Sequence, residues 1–434
     1  MLLICTILLY SLVLAAIAVA YIYFGYPILI YILSRLFGRR PHRPAVDCDD
    51  LPTVSLLIAA HNESAEIRKR IENCLGIDYP EGKFEVIIAS DGSTDETNSL
   101  VEDYAPAGVR LLPFRERRGK SAVLNDSIPM TRGEIVVFSD ANTHMHPQSV
   151  RQLAAWFAER DTGVVCGRLV LTDPVAGRNV DGLYWKYETF LKKCESRLGA
   201  LLGSNGGIYA IRKSIFAQIP DNTLVDDFVL PLLAAERSGC RIVYDRDAVA
   251  CEETPDSMTS EFHRRVRIGA GGFQSIGILR SLFHPRNGWR TFTFVNHKFL
   301  RWVCPFIMIY ALLASAFLVP LSFAVGGDGE QMLAVAAFGL QIGFYALALG
   351  AGFIPNRPRF MKVFRLPAMF TVMNAALAWG FVRWLRGRQR STWRRTVRAS
   401  ELAMDSPSDT GRHSAAEITS RIPLSDDAMT GVGS

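Results

Sequence analysis

The chain has 434 residues, of which 49% are hydrophobic, and its mean hydropathy is +0.15. Lys and Arg number 48 against 42 Asp and Glu, which gives a formal net charge of +6. The basic residues gather beside apolar segments, and this favours anionic lipid head groups over nucleic acid as their partner. Eight cysteines without a Cys-x-x-Cys pair are typical of reduced, buried thiols and suggest no zinc site.

Four apolar segments are candidates for membrane helices. No charged side chain occurs from Leu2 to Leu33, and such a run can cross ~30 Å of hydrocarbon. We predict a transmembrane helix over residues 1–36 rather than a signal peptide, because no basic residues precede the run and it continues past the cleavage-like Ala18–Ala20. The other three predict membrane helices within residues 302–385. They are Trp302–Val325, Met332–Ile354 and Leu366–Val382.

The rest of the chain divides by composition. Residues 50–280 have an ordinary globular composition and predict a water-soluble domain inserted between the membrane segments. Residues 281–301 predict a linker at the membrane interface. Residues 399–434 are rich in Ser, Thr, Asp and Gly, with few large apolar residues, and predict a disordered tail.

The basic residues of the short flanking loops set the expected topology. They flank both ends of the soluble domain, so we expect it on the cytoplasmic face of the cell (inner) membrane, in a multi-pass protein. The fourth apolar segment, 366–382, breaks this scheme, because its crossing would place the seven arginines of residues 383–398 outside. A re-entrant or interfacial position is the alternative, and the side of the tail stays open.

A strand and helix pattern repeats through the soluble domain. The predicted strands are Val54–Ala60, Phe84–Ala89, Val109–Pro113 and Ile135–Ser139. Helical patterns follow the first three strands, from Ser64, over Thr97–Tyr104 and over Lys120–Ile128. This alternation predicts an α/β fold with an open, mostly parallel sheet and helices on both faces.

Acidic residues follow three of these strands. Glu63, Asp91 and Asp140 fall at the carboxyl ends, where ligands of such sheets bind. Three carboxyl groups at one rim are tolerable if a ligand donates hydrogen bonds to some of them and brings a divalent cation to another. Nucleotides and sugars supply donors, and diphosphate oxygens complete the shell of Mg²⁺ or Mn²⁺. An Asx turn leading into a helix is the alternative for the segment Asp91–Asp95.

Several ordered motifs together resemble the membrane-bound glycosyltransferases of family 2, which include cellulose, chitin and hyaluronan synthases and many bacterial exopolysaccharide transferases. The resemblance covers residues 50–280 and extends to the flanking spans. It implies a GT-A fold, a Rossmann-like sheet inserted between transmembrane helices. The motifs are Ala59–Glu63, Asp91–Asp95, Gly119–Asn125, Asp140–Asn142, Gly203–Arg212, Val225–Asp227 and Glu261–Ile268.

The first motifs imply a binding site for a nucleotide-sugar donor, with UDP the family's usual carrier. Asn62 and Glu63 occupy the loop that meets the uridine in the family. Asp91 occupies the place of the aspartate that takes the uracil, and Lys120 would lie near the diphosphate.

The family's metal motif is Asp-x-Asp, and it is represented here by Asp140-Ala141-Asn142. Asp140 is therefore the expected ligand of Mg²⁺ or Mn²⁺, and Asn142 can contribute an uncharged amide oxygen. The departure from Asp at 142 predicts a weaker or differently shaped metal site. His144 and His146 are weaker candidates, because Mg²⁺ prefers oxygen ligands.

The later motifs imply the acceptor side of the site. Gly206 and Gly207 resemble the glycine-containing segment that lines the family's pocket, where a bulky sugar must approach the backbone. Asp227 takes the place of the general base, which removes the acceptor's proton during inverting transfer. Its neighbour Asp226 is expected to face away or to support the base. A plain N-cap role for this acidic pair is the alternative.

The last motif departs from the Gln-x-x-Arg-Trp of processive synthases. Arg267 fits the arginine, which would pair with the leaving diphosphate, while Arg264 replaces the glutamine and Ile268 the tryptophan that stacks on the growing polymer. The expected acceptor is therefore either a growing glycan or a lipid-linked molecule that receives one sugar. A homo-oligomer or an export partner would supply the further helices of a secretion channel.

Two alternative functions, from other classes of protein, remain open. One is a non-catalytic membrane protein that binds a nucleotide sugar or a partner. The other is a dinucleotide-binding oxidoreductase, which is weaker because no Gly-x-Gly-x-x-Gly follows the first strand.

Overall fold

The structure is a computed structural model that describes residues 1–172, 182–253, 258–350, 365–389 and 391–392. The chain forms two compact units. The membrane unit comprises Met1–Leu33, Glu261–Gly277 and Thr291–Gln389, and the sheet unit comprises Ser34–Ser260 and Ile278–Arg290. The predicted tail, 399–434, lies outside the described residues, as do the last four residues of the predicted segment Met332–Ile354.

The sheet unit is built on one eight-stranded sheet. In chain order the strands are β1 (Val54–Ala60), β2 (Phe84–Asp91), β3 (Val109–Phe114), β4 (Ile135–Asp140), β5 (Thr143–Met145), β6 (Thr162–Thr172), β7 (Tyr209–Arg212) and β8 (Arg241–Glu253). Their order across the sheet is β3-β2-β1-β4-β7-β6-β8-β5.

The sheet has a parallel half and a mixed half. Strands β3, β2, β1 and β4 are mutually parallel, whereas β7 runs antiparallel to both β4 and β6. In the outer part, β6 pairs in parallel with β8, and β5 pairs antiparallel with β8. Four of the seven strand pairings are therefore parallel, which confirms the predicted α/β class and adds a mixed half that the sequence did not indicate.

Thirteen α-helices occur in the described residues. In chain order they are α1 (Leu2–Ala20), α2 (Tyr26–Leu36), α3 (Ile67–Leu75), α4 (Thr97–Glu102), α5 (Lys120–Ser127), α6 (Ser149–Ala155), α7 (Leu183–Arg197), α8 (Asp226–Ser238), α9 (Met258–Ile278), α10 (Trp289–Thr293), α11 (Leu300–Val325), α12 (Asp328–Gly350) and α13 (Arg365–Leu385).

The core of the sheet unit follows from strand β1, in which all seven residues are buried. A strand buried on both faces has a nearly continuous apolar sequence, and VSLLIAA of β1 is an example. Helix α3 contributes Ile67, Ile71 and Cys74, each with 0% exposure, to the hydrophobic core that also contains residues of β1. Their spacing of three and four residues places them on one helix face.

The membrane unit contains helices long and apolar enough to cross a bilayer. Four stretches meet this condition, and they are Leu2–Leu36, Trp289–Val325, Asp328–Gly350 and Leu366–Leu385. The fourth, which the sequence left open, is helical over the 21 residues of α13. Within the unit, the buried Asn374 amide and the Tyr23 hydroxyl are hydrogen-bonded at 3.1 Å, which satisfies polar groups where water is scarce.

A partly buried carboxylate joins three segments at the amino-terminal end of the parallel half. Glu85 of β2 accepts hydrogen bonds from Ser55 Oγ at 2.5 Å, from the Arg132 N–H at 2.5 Å and from Arg110 Nη1 at 2.8 Å. Burial alone would raise the pKa of Glu85, but these hydrogen bonds outweigh it and hold the pKa below its usual value of 4.5. The charged form is therefore the one that stabilises the fold.

We expect Glu85→Gln to lower the free energy of unfolding by about 1–2 kcal/mol at pH 7, because it weakens charge-assisted hydrogen bonds. Because the pKa is depressed in the folded state, this stabilisation is present above pH 4.5 and disappears as the pH falls through the lower folded value. Thermal unfolding of the full-length protein in detergent at pH 7 and pH 4 tests this. The exposed Glu81→Gln is the control, and a difference that grew with acid would contradict the assignment.

Candidate active site

Two aspartates end the strands on either side of β1 in the parallel half. Asp91 is the last residue of β2, and Asp140 is the last residue of β4. Both strands pair with β1, which lies between them. The carboxyl ends of three adjacent parallel strands therefore meet at one rim, as predicted, and this is where ligands of open α/β sheets bind.

The loop after β1 is fastened to the turn after β2. Asn62 has a left-handed backbone with φ of 54°, and its side-chain oxygen accepts a hydrogen bond from the Thr94 N–H at 2.8 Å. Its own N–H donates to Ser93 Oγ at 3.1 Å. His61 Nδ1 lies 2.7 Å from the Asp91 carbonyl oxygen. Asn62 therefore has a structural role at the rim, and its contact with a nucleotide stays a prediction.

Glu63 extends this connection. Its N–H donates to Thr97 Oγ1 at 2.8 Å, and Thr97 in turn donates to Asp95 Oδ1 at 2.5 Å. Burial disfavours a charged Asp95, but hydrogen bonds from Thr97 and Ser64 outweigh it and hold its pKa below the usual value. Asp95 Oδ1 also accepts from the Thr97 N–H at 3.0 Å. The alternative of an Asx turn leading into α4 is thus realised at Asp95, and it coexists with a site at Asp91.

The carboxylate of Asp91 is fully buried and holds a second loop. Its oxygens accept from the Arg118 N–H at 2.7 Å and from the Gly119 N–H at 2.9 Å. Gly92 permits this approach, because it has φ of 61° and a Cβ there would lie 2.6 Å from the Arg117 nitrogen. The sequence did not indicate this role, by which Asp91 positions the start of α5.

Helix α5 begins with Lys120, whose ammonium group is shared between two carboxylates. Lys120 Nζ lies 2.7 Å from Asp140 Oδ1 and 3.4 Å from Asp226 Oδ2. Burial disfavours the charged lysine, but Asp140, Asp226 and Asp227 outweigh it and raise its pKa. Asp226 does not face away from the cluster, as had been one expectation. In the free protein, Lys120 is the cation that meets Asp140.

Lys120→Met would leave two carboxylates in the cluster without their cation. We expect a loss of about 2 kcal/mol in the free energy of unfolding, because removing one partner of a largely buried pair is costly, and partial recovery in millimolar Mn²⁺. Thermal unfolding with and without Mn²⁺ measures both effects. The control is Lys69→Met, whose ion pair with Glu66 leaves the lysine 42% exposed and is worth less than about 1 kcal/mol. An equal Mn²⁺ effect in variant and wild type would contradict this account.

A glycine lies beside both Asp140 and the predicted base. A Cβ added at Gly206 would lie 3.3 Å from Asp227 Oδ2 and 3.6 Å from Asp140 Oδ2, so these two oxygens are at most 6.9 Å apart. Asp227 lies in the first turn of α8, and its carbonyl oxygen accepts from the Ser204 N–H at 2.9 Å, which fixes the glycine segment against the helix. Any larger residue at 206 would occupy the space between the two carboxylates.

The next glycine serves packing. A Cβ at Gly207 would lie 2.9 Å from Thr143 Oγ1 and 3.1 Å from Leu169 Cδ1. The Gly207 carbonyl oxygen accepts from Ser139 Oγ at 2.8 Å. Gly206 therefore lies beside the carboxylates, and Gly207 lies against the sheet. A contact of either glycine with the substrate stays a prediction.

Tyr209 is a residue of the cluster that the sequence did not single out. Its ring is fully buried and stacks on Phe138 with 4.5 Å between centroids. In the described part of the chain, its hydroxyl has no hydrogen-bond partner. Burial raises its pKa well above the usual value, and Asp226, Asp227 and Asp140 add to the effect. The apolar pattern of β7 predicts a core position for this tyrosine. Nothing in the sequence distinguishes it from the other core residues.

The oxygen atoms near Asp140 suit a hard divalent cation whose coordination shell is completed by oxygens of the substrate. The Asp140 side chain is 35% exposed, and Asn142 lies two residues further along, 3.3 Å from Glu252 through its amide nitrogen. Among the described residues no group of three or more His, Cys, Asp or Glu side chains could hold a metal by itself. Mg²⁺ is commonly held by one or two carboxylates plus substrate phosphates, and that arrangement suits this rim.

The weaker histidine candidates follow the metal motif closely, since His144 lies on β5 and His146 comes directly after that strand. Burial, with Arg70 and Lys69 nearby, lowers the pKa of His144 to about 3, so it is neutral. Arg264 and Arg267 lie on α9, in the part of that helix that belongs to the membrane unit. Arg264 pairs there with Glu261 at 3.7 Å.

Comparison with known proteins agrees with this geometry. Residues 55–219 match the family model described as Glycosyl transferase family 2. Beta-monoglucosyldiacylglycerol synthase of Nostoc sp. is 26% identical over 267 residues, which are 56% of this chain and 54% of that protein. Poly-beta-1,6-N-acetyl-D-glucosamine synthase of Staphylococcus aureus is 24% identical over 253 residues, which are 56% of this chain and 59% of that protein. The chain spans somewhat more than half the length of these curated relatives.

A solved structure shares the fold. The mannosyltransferase PcManGT of Pyrobaculum calidifontis, in complex with GDP-Man and Mn²⁺, matches with a TM-score of 0.67 and 23% identity over 87% of this chain and 100% of that one. The mixed eight-stranded sheet belongs to the part of the fold that this chain shares with the mannosyltransferase. Over residues 55–219 the chain is similar to glycosyl transferase family 2, and its described residues include four helices long and apolar enough to cross a membrane.

Proposed function

We propose that the enzyme transfers a sugar, with inversion, from a nucleoside diphosphate sugar to a growing glycan or a lipid-linked acceptor at the membrane. Uridine is the expected nucleoside of the donor, and Mg²⁺ or Mn²⁺ the expected cofactor. The relatives named above make a glucolipid and a polysaccharide, and both products fit this general reaction.

The observation that carries the proposal is the closeness of Asp140 and Asp227 beside Gly206. Their Oδ2 atoms lie at most 6.9 Å apart, next to a residue without a side chain. A diphosphate held at Asp140 would bring the attached sugar close to Asp227. Inversion requires the acceptor hydroxyl to face the anomeric carbon opposite the leaving group, and we expect Asp227 to lie on that side.

Asp227 is the residue that we assign as the general base. As the acceptor oxygen forms its bond to the anomeric carbon, the hydroxyl proton passes to the Asp227 carboxylate. The bond from the anomeric carbon to the diphosphate oxygen breaks at the same time, and the nucleoside diphosphate leaves with the electron pair. A divalent cation at this site would neutralise negative charge on the diphosphate.

Lys120 supplies a second positive charge within the chain. It lies against Asp140 and Asp226. With a divalent cation at Asp140, the Lys120 ammonium group would contact diphosphate oxygens while Asp226 keeps it close. Asp226 is thus a positioning residue for Lys120.

Donor identity is tested with the full-length protein in detergent, incubated with UDP-glucose, UDP-galactose, UDP-N-acetylglucosamine or GDP-mannose. Membrane lipid extract serves as acceptor, with Mn²⁺, Mg²⁺ or chelator. We expect nucleoside diphosphate release and a glycosylated product with one donor, and loss of both with chelator. No product from any donor, with intact donor binding, would support the non-catalytic alternative.

A single transfer to a lipid is favoured over processive synthesis by one feature. Ile268, which takes the place of the tryptophan of processive members, is an aliphatic residue with 41% exposure, and it offers no aromatic face on which a sugar ring could stack. Mass spectrometry of the product separates the two outcomes, because one added sugar supports single transfer and a ladder of masses supports a polymer.

We further propose that the sheet unit lies on the cytoplasmic side of the inner membrane. The support is the set of basic residues that flank it in sequence. Accessibility of the exposed Cys48 to a membrane-impermeant maleimide tests the orientation, since labelling should require opened cells.

A further inference from the structure

A cavity of about 540 Å³ lies in the sheet unit, and none of its lining residues belongs to the carboxylate cluster. Its volume falls within the ~300–1,000 Å³ typical of ligand sites. It is lined by three chain segments, which are Arg40–Arg43 before the sheet, the end of α7 at Lys193–Arg197, and Tyr244–Asp247 of β8, together with Trp156.

One wall is formed by an irregularity of the sheet. Cys166 of β6 pairs with Tyr244 of β8, and Arg168 pairs with Val249. Four residues of β8, from Asp245 to Ala248, therefore stand opposite one residue of β6 and bulge out of the ladder. Such bulges redirect side chains and recur near functional sites. Here the bulge carries Asp245, Arg246 and Asp247 to the cavity.

A buried aspartate joins this wall to the segment before the sheet. Asp245 is 4% exposed, and its Oδ2 accepts from Arg43 Nη1 at 2.9 Å and from Trp156 Nε1 at 2.7 Å. The Asp247 N–H donates to Asp245 Oδ1 at 2.9 Å. The Arg39 N–H donates to the Arg197 carbonyl oxygen at 2.9 Å, which joins the third wall. The cavity is thus held in shape by bonds between its walls.

The lining carries an excess of positive charge. It contains five Arg and Lys side chains and two Asp side chains, a net charge of +3. Both acids are engaged, because Arg43 pairs with Asp245 and lies 3.7 Å from Asp247, and Arg246 lies 3.4 Å from Asp247. Within the described part of the chain, neither Arg40 nor Arg197 forms an ion pair with an acid. Cations of α7 also suit a helix end, and the arginines before the sheet also follow a candidate membrane span.

One segment that lines the cavity follows a candidate membrane span closely in sequence. Arg40 follows Leu36, the last residue of the first candidate span, by four residues. Four residues reach at most about 14 Å when fully extended. A basic segment at that distance from a bilayer meets the head groups of anionic lipids.

We propose that this cavity binds a phosphate group, and that the head group of an anionic phospholipid is its source. Arg40 and Arg197 are the residues assigned to the anion, since arginine pairs with phosphate through two parallel hydrogen bonds. Arg43 is a positioning residue, because its guanidinium group is committed to Asp245. The site would hold the sheet unit to an anionic bilayer, independently of any substrate.

The experiment uses the full-length protein in a neutral detergent without nucleotide. Binding of dihexanoyl-phosphatidylglycerol, dihexanoyl-phosphatidylcholine and inorganic phosphate is titrated for the wild type and for the double variant Arg40→Gln/Arg197→Gln. We expect phosphatidylglycerol to bind at least tenfold more tightly than phosphatidylcholine, and the double variant to lose at least tenfold of that affinity. The single variant Arg40→Gln, at an exposed position, gives a second test if the double variant is unstable.

The matched control is Arg132→Gln/Arg160→Gln, which removes the same charge from exposed positions that do not line the cavity. Unchanged phosphatidylglycerol affinity in the cavity variants, or an equal loss in the control, would overturn the proposal. Inorganic phosphate that bound as tightly as phosphatidylglycerol, with the same dependence on Arg40, would support the phosphate site and reject the lipid as its source.

Discussion

Asp227→Asn should lower the rate of sugar transfer by about 10²- to 10⁴-fold, which is the usual contribution of a general base. The asparagine keeps the size of the side chain beside Gly206 but cannot accept the acceptor's proton. Donor binding should change little, because the donor-side residues are untouched. The turnover rate and the dissociation constant of the donor, measured on the full-length enzyme in detergent, separate these two expectations.

Two further variants make that result interpretable. Glu236→Gln removes a carboxylate from the same helix α8, nine residues after Asp227, and should leave the rate unchanged. Asp226→Asn should reduce donor affinity more than turnover, because Asp226 holds Lys120 at 3.4 Å. If Asp226→Asn abolished turnover while Asp227→Asn retained it, the base would have to be reassigned to Asp226.

Asp140→Asn should reduce kcat/KM by roughly a hundredfold or more, since a cation's stabilisation of diphosphate charge is worth several kcal/mol. The measurement that separates this from a folding defect is Mn²⁺ binding in the presence of UDP, followed by electron paramagnetic resonance. We expect at least tenfold weaker Mn²⁺ binding. Lys120 keeps Asp226 as a partner, so the thermal midpoint should change little.

The control for that variant is Asp103→Asn, the same chemical change at a side chain that is 61% exposed and pairs with Arg68 at the surface. It should retain wild-type Mn²⁺ binding and activity. Normal Mn²⁺ binding by Asp140→Asn would show that the cation, if the enzyme uses one, is held by other groups.

The parallel half of the sheet could be predicted from the sequence because each strand there is an apolar run closed by a polar turn. The predicted strand Val54–Ala60 has the bounds of β1, and the other three agree within two residues. Strands β5 to β8 could not be placed, because pairing partners and strand direction depend on contacts between segments far apart in sequence. Tyr209 pairs with Phe138 and Cys166 in antiparallel registers that no local pattern specifies.

The candidate site was predictable as a set of residue types but not as a set of contacts. The place of Asp91 and Asp140 at the rim follows from strand order alone. That Asp91 would accept hydrogen bonds from two backbone N–H groups, and that Lys120 would neutralise Asp140 and Asp226, depends on the path of the loop before α5. Local propensity does not determine such a path, because Arg117, Arg118 and Gly119 are compatible with many turns.

During synthesis, β4 is complete about 70 residues before β7 emerges from the ribosome. At ~5–20 residues per second, roughly 4–14 seconds pass between the two. Over that interval the edge of β4 that β7 later covers is open, and its residues Ile135–Phe138 are apolar and at most 1% exposed in the finished sheet. An uncovered edge of this kind is a template for pairing with other chains. Nascent chains halted between these two strands are therefore the ones that we expect to aggregate most readily.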